Sequence, residues 1–268
     1  MSSKKGDFML IDYTAKIKET GEIFDTTMED LAKNERLYKE GEIYEPKLIV
    51  IGEGWVLKAL DENLHSLKIN KTEAIEISPD KAFGPRVPEK LKRVSLRRLR
   101  EKGITPKLGM RIEYEKRFAT IRTMGGGRVL LDFNPPLAGK TLIYEVTAKK
   151  KLRTRREKVL ALIHRRIPIA EISNFKLDME KADATIHVPE EAFYIEGLQV
   201  AKRGIAADLQ RFFPSIARVE FIETFQKPET ETKKPETKTE KPEAKPAKST
   251  AKKRQKAKRA RKSNKRAH

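Results

Sequence analysis

VIGEGWVLKALDENL, residues 50–64, decides how the rest of the chain is read. The apolar run Leu48-Ile49-Val50-Ile51 is short enough to be a buried strand. Gly52, Glu53 and Gly54 interrupt it, and Trp55, Val56 and Leu57 follow at once. Ala59, Leu60 and Leu64 then continue at helical spacing. A strand that stops, turns sharply and restarts as a short helix can aim bulky apolar side chains into a cleft. It also leaves the first backbone N–H groups of the helix free to donate to a carbonyl oxygen. The same residues equally describe a plain strand-to-helix connection with one buried helix face.

At 268 residues the chain has room for two domains, or for one domain with attachments. Hydrophobic residues make up 38% and charged residues 37%, so part of the chain is expected to lie outside a core. The absence of cysteine excludes disulfides, thiolate metal sites and cysteine nucleophiles. His65, His164, His187 and His268 are scattered without metal-ligand spacing, and neither a metal nor another cofactor is expected. No apolar run approaches the roughly 20 residues of a membrane helix, and MSSKKGDFMLIDY at the N-terminus does not read as a signal peptide. The expectation is a soluble, cytoplasmic protein without membrane contact. Its net charge of +20 is unevenly placed: residues 227–268 carry +12, 85–133 carry +9, 153–226 carry +1, and 1–84 with 134–152 carry −2.

Working outward from the central stretch, residues 6–19 alternate as a half-buried strand with an irregularity near Asp12. Thr20-Gly21 turns and Glu22–Thr27 returns; a short helix is expected within 28–40, and a strand over Lys71–Ile77 ends at Ser78-Pro79-Asp80. From Val94 to Gly103 the pattern is helical, and Met110–Met124 and Arg128–Phe133 alternate on either side of Gly125-Gly126-Gly127, which reads as a short helix and a β-hairpin. Asn134–Lys140 resumes the earlier chemistry and Thr141–Lys149 is another strand, so 85–133 reads as a module inserted into a unit made of 1–84 and 134–152. Residues 153–226 form a small α+β domain: a basic amphipathic helix, two strands with a turn near Glu180, a long helix from Pro189 to Phe213 and a last strand over Ala217–Phe225. Beyond Gln226, Lys-Pro-Glu recurs at 227, 234 and 241, and from Lys248 onward there are 11 Lys/Arg and no acid. Residues 227–268 are expected to be disordered.

Together these pieces resemble the FKBP-type peptidyl-prolyl cis-trans isomerases, more closely their long archaeal and SlyD-like branch. The resemblance is carried by Asp12-Tyr13-Thr14, Gly21-Glu22-Ile23-Phe24-Asp25, Ile51-Gly52-Glu53-Gly54 with Val56, Leu57 and Leu60, Ala82-Phe83-Gly84, and Asn134-Pro135-Pro136-Leu137-Ala138-Gly139-Lys140 followed by Leu142–Val146. It implies an α+β fold: an antiparallel half-barrel sheet around a short helix, with a chaperone-like, β-rich insert in the flap at 85–133. It implies that Tyr13, Phe24, Val56, Leu57, Leu60, Phe83 and Tyr144 line a pocket, that Asp25 is the polar group at its edge, and that the Leu57 N–H holds a substrate carbonyl. Phe83 stands where the family usually has tyrosine, Leu60 where many members have tryptophan, and Pro135 where histidine is frequent. Trp55 reads either as a peptide-stacking surface or as a partly buried anchor. The partners so implied are unfolded or nascent proline-containing polypeptides. The basic tail and insert point separately to a ribosome- or RNA-associated factor, and a homodimer through 153–226 stays open beside a monomer.

Overall fold

The computed structural model describes residues 3–226; the disorder expected of 227–268 falls outside the described residues. Over the described residues the fold is α+β, with three sheets. The first sheet contains β1 (Phe8–Ile17) and β2 (Ile23–Thr26). After helix α1 (Glu29–Asn34) come β3 (Lys47–Val50), α2 (Lys58–Asn63) and β4 (Thr72–Ile77). A middle sheet follows: β5 (Leu91–Ser95), helix α3 (Leu96–Glu101), β6 (Arg111–Tyr114), β7 (Arg117–Gly125) and β8 (Arg128–Asp132). The chain then returns to the first sheet as β9 (Leu142–Leu152). The last elements are α4 (Arg155–Arg166), β10 (Lys176–Met179), β11 (Asp183–Val188), α5 (Leu198–Phe212) and β12 (Arg218–Glu223).

In the first sheet the order is β2-β1-β9-β4, with β3 also on β1 and every pair antiparallel. β1 is central, and its two faces have different neighbours. Met9, Ile11, Tyr13, Ala15 and Ile17 point to one core, shared with Leu60 and Leu64. Phe8 and Leu10 point the other way, into a core built with Val159, Leu162 and Ile163 of α4. That double burial is why Phe8–Ile11 is apolar at four successive positions instead of alternating. The expected irregularity lies at Leu10/Ile11, where the β1–β9 register shifts. Farther along, the second face of β1 is polar, and Lys16 pairs there with Glu145 and Asp12 with Lys149.

The middle sheet, ordered β5-β8-β7-β6, encloses its own core of Val94, Leu99, Ile112, Tyr114, Ile121 and Leu131. It has four strands, two more than a hairpin. Met110–Met124 is two strands because Glu115 and Lys116 turn with φ of 53° and 61°, a pair of left-handed positions usually taken by Asn-Gly. The helix expected from Val94 starts at Leu96, since Ser95 caps it by accepting from Arg98 N–H at 3.1 Å. In the third sheet, β10-β11-β12, α5 crosses over between the parallel strands β11 and β12. The long helix expected from Pro189 begins only at Leu198: Glu190–Ala192 makes a single tight turn, and Gly197, at φ 77°, breaks the path before α5.

Candidate active site

A bulge in β2 builds one wall of the site. Ala15 opposes Asp25 and Lys16 opposes Ile23, so Phe24 is an extra residue. Bulges re-aim side chains, and here both Phe24 and Asp25 reach the tyrosines of neighbouring strands. The Phe24 ring stands edge-on to Tyr144 with centroids 6.2 Å apart. Asp25 Oδ2 accepts from the Tyr13 hydroxyl at 2.8 Å. Ala15, which opposes Tyr144 on its other side, is fully buried and small. Over it Tyr13 and Tyr144 lean together with centroids 5.9 Å apart.

The floor comes from the central stretch. Leu60, 1% exposed, lies in the core shared by Tyr13 and Tyr144, and Phe24, Val56 and Leu57 pack half-buried against that core. Leu57 precedes α2, whose first turn closes on its carbonyl through Leu60 and Asp61 N–H at 2.8 and 2.9 Å. Among the described residues the Leu57 N–H itself donates to no acceptor. Burial, with the Asp25 carboxylate beside it, pushes the Tyr13 hydroxyl far above its ordinary range. Burial, and then the Asp25 charge, push Tyr144 up to about 12. Both stay protonated at neutral pH, and Tyr13 stays a donor to Asp25. The result is an aromatic cup with the Asp25 carboxylate at its edge. Seven of the eight residues singled out from the sequence are therefore gathered on this side of the first sheet: Tyr13, Phe24, Asp25, Val56, Leu57, Leu60 and Tyr144.

Two family models match the chain: one described as FKBP26_C-terminal over residues 155–226, and one described as FKBP26, IF domain, over 92–137. The short-type peptidyl-prolyl cis-trans isomerase of Methanocaldococcus jannaschii is 27% identical over 146 residues, 54% of this chain and 92% of that protein. Both models and this relative make the chain similar to FKBP-type proteins. Other similar relatives fall in the same enzyme class. The FKBP-type 16 kDa isomerase of Escherichia coli is 25% identical over 150 residues, covering 54% of this chain and 91% of its own. The FKBP-type isomerase SlyD of Helicobacter pylori is 29% identical over 125 residues, 45% of this chain and 66% of its own.

Phe83 stands apart from the other seven residues. It is 40% exposed beyond the tight turn at Pro79–Lys81 and, among the described residues, joins none of the ring pairs. Trp55 is the anchor of its two readings. Its ring meets Phe212 of α5 edge-on at 5.8 Å, and the Arg165 guanidinium lies 3.9 Å from its centroid.

Two residues that the sequence reading passed over hold the cup in place. Thr27 clamps the Tyr13 backbone, accepting from its N–H through Oγ1 at 3.0 Å and donating its own N–H to Tyr13 O at 3.0 Å. Asp61, only 7% exposed, accepts from Gly52 N–H at 2.9 Å and Gly54 N–H at 3.2 Å. Gly52 and Gly54 have φ of 84° and 67°, so the turn is left-handed twice, and one carboxylate ties both N–H groups to α2. The signal was present as an Asp facing back across a Gly-x-Gly turn, but it looked like an ordinary helix acid. Asp61→Ala should lower stability by about 3–6 kcal/mol, since it removes two hydrogen bonds to a charged group, each contributing about 1.5–3 kcal/mol. The check is a denaturant midpoint at constant m. A change under about 0.5 kcal/mol, the range of ordinary surface substitutions, would mean that the backbone alone sets the turn.

Proposed function

We propose that the chain is a peptidyl-prolyl cis-trans isomerase acting on unfolded or nascent polypeptides. The observation that carries this is the aromatic and aliphatic cup of Tyr13, Phe24, Leu60 and Tyr144 with Asp25 at its edge. An X-Pro bond rotates over a barrier of about 18–20 kcal/mol because resonance keeps the amide planar. No bond is made or broken, so neither nucleophile nor metal is needed. The twisted amide carries less charge separation than the planar one, so an apolar enclosure favours it. In this reading the proline ring sits over Leu60 and Val56, and Phe24 and the two tyrosines close around it. The unused Leu57 N–H holds a substrate carbonyl, and Asp25 fixes Tyr13 and faces the rotating amide. Purified protein should isomerise a proline tetrapeptide well faster than the spontaneous exchange, which takes on the order of 10–100 s. A rate equal to that of buffer would remove the proposal.

The chaperone part of the reading rests on the middle sheet, residues 85–133 of the proposed domain division. Its neck is narrow: Val87 N–H donates to Asn134 Oδ1 at 2.9 Å, Arg86 pairs with the buried Asp132 at 2.5 Å, and Gly139 N–H donates to Gly84 O at 2.9 Å. Neither of the other two cores draws on residues 86–133. Replacing 86–133 by a short Gly-rich link should leave tetrapeptide isomerisation largely intact and sharply reduce catalysis of a proline-limited refolding reaction. The insert would hold the unfolded chain near the cup and raise its effective concentration. Equal loss on both substrates would give the insert a purely structural role.

A second reading, an RNA- or ribosome-associated factor, is favoured by the +12 charge of residues 227–268 and the +9 of the insert. The same proposal includes a homodimer through 153–226, for which Tyr194 and Val200, 82% and 77% exposed, supply apolar surface. Sedimentation velocity showing only monomer at high concentration would remove the dimer.

A further inference from the structure

We propose that the cleft between the first sheet and α4 is a second polypeptide subsite, holding a few residues that flank the reacting proline and favouring an extended segment with a large apolar side chain. The inference rests on the isomerase reading and deepens it. The cleft encloses about 790 Å³, within the roughly 300–1,000 Å³ typical of binding pockets. Tyr13 and Val56 line this cleft and also belong to or pack against the core of the cup, so the two lie side by side. A chain with its proline over Leu60 has a path past Tyr13 into the cleft.

The lining selects the occupant. Leu10 and Leu48 from the sheet face Leu160 and Ala161 from α4, and Ile169, 73% exposed, stands at the lip. The charges around it balance: Glu42, Glu45 and Glu157 against Lys47, Lys150 and Arg165. Such a surface recruits neither phosphate nor a strongly charged ligand, but suits a neutral, apolar stretch of peptide. One polar atom is left over. His164 Nε2 meets Glu45 Oε1 at 2.7 Å, while His164 Nδ1 is buried with no partner among the described residues. In the tautomer whose Nε2–H donates to Glu45, Nδ1 is an acceptor. Buried acceptors are ordinarily satisfied; the His164 side chain lines the cleft and is 30% exposed, and a turn of its ring would bring Nδ1 to a backbone N–H of a peptide lying there.

Trp55 is the only tryptophan of the chain and lines the cleft, so its fluorescence reports occupancy without relying on catalysis. The probes, offered to the full-length protein, are a ten-residue peptide with a central Leu-Pro bond and apolar flanks, the same peptide with serine flanks, and a proline tetrapeptide. The apolar peptide should shift Trp55 emission, and the other two should not. Ile169→Asp, at an exposed position, and His164→Phe, which keeps a ring but loses the acceptor, should each raise KM for the apolar peptide about tenfold. Tetrapeptide kcat/KM should stay within about twofold in both. Equal effects on both substrates, no effect on either, or an emission change that follows protein concentration without peptide would overturn the subsite. The last outcome would place a second copy of the chain there instead. A Trp55 response abolished by Ile169→Asp, with no turnover of the tetrapeptide, would uphold the subsite and sink the isomerase reading.

Discussion

Asp25→Ala will lower kcat/KM on a proline tetrapeptide at least about tenfold, which is about 1.4 kcal/mol of transition-state stabilisation. Asp25 accepts from Tyr13 at 2.8 Å, so its removal both takes that carboxylate from the edge of the cup and deletes the hydrogen bond that holds the Tyr13 hydroxyl. Tyr144→Ala should lose at least as much activity, because Tyr144 touches both Tyr13 and Phe24 and its loss opens the cup to water. It is also 7% exposed, so truncation costs stability, about 3–5 kcal/mol for a large buried aromatic. The assay therefore belongs well below the unfolding transition, with Tyr144→Phe beside it. Phenylalanine keeps the ring and removes only the hydroxyl. If the cup acts by excluding water, Tyr144→Phe retains activity within about threefold. Full activity in both Asp25→Ala and Tyr144→Ala would take the cup out of the mechanism.

The residues of the proposed cup were legible in the sequence because they sit in short motifs in a recognisable order. Phe24-Asp25, Val56-Leu57 and Tyr144 each read as a strand or turn residue alone, and as a pocket together. What could not be read is how they are aimed. A period of two places Phe24 and Asp25 on opposite faces of a strand, and only the bulge opposite Ala15 and Lys16 brings both to the tyrosines. Nothing in Ile23–Thr26 marks that bulge, because no glycine is needed there. The place of Phe83 was hidden for the opposite reason: its motif said what it is, not that the chain beyond Pro79–Lys81 would leave it 40% exposed. The same limit appears in the fold. The strands around Gly125–Gly127 were plain from alternation and glycines, whereas the turn at Glu115-Lys116 uses two charged residues at positive φ and left no mark. The packing of Phe8 and Leu10 beneath α4 was likewise invisible, since an apolar pair at the start of a strand does not name its partner.

Truncation after Gln226 will remove most of the salt-sensitive affinity for RNA and leave tetrapeptide isomerisation intact. The argument is one of composition. Residues 248–268 contain 11 Lys/Arg, no Asp or Glu, and no apolar side chain larger than alanine. Such a segment has nothing to bury against a folded protein surface, whereas phosphates are neutralised by cations in many arrangements. If about 6–10 phosphates are contacted, affinity should fall roughly 10³–10⁵-fold between 50 and 200 mM salt. Base sequence should matter little, because cations used in this way position without reading. Every residue of the proposed cup lies before Lys149, so the cut leaves them all in place. The measurement is RNA binding across a salt series for the full and truncated chains. A steep series that flattens on truncation supports the tail as the phosphate contact. Affinity kept after truncation would move the contact to the insert, where 9 of the 14 cations are arginine against 4 of 17 in the tail. Guanidinium forks hold phosphate bidentately, so in that case the contact should weaken on Arg→Lys exchange within 85–133. A flat series from the start would leave the tail's charge with no nucleic-acid role.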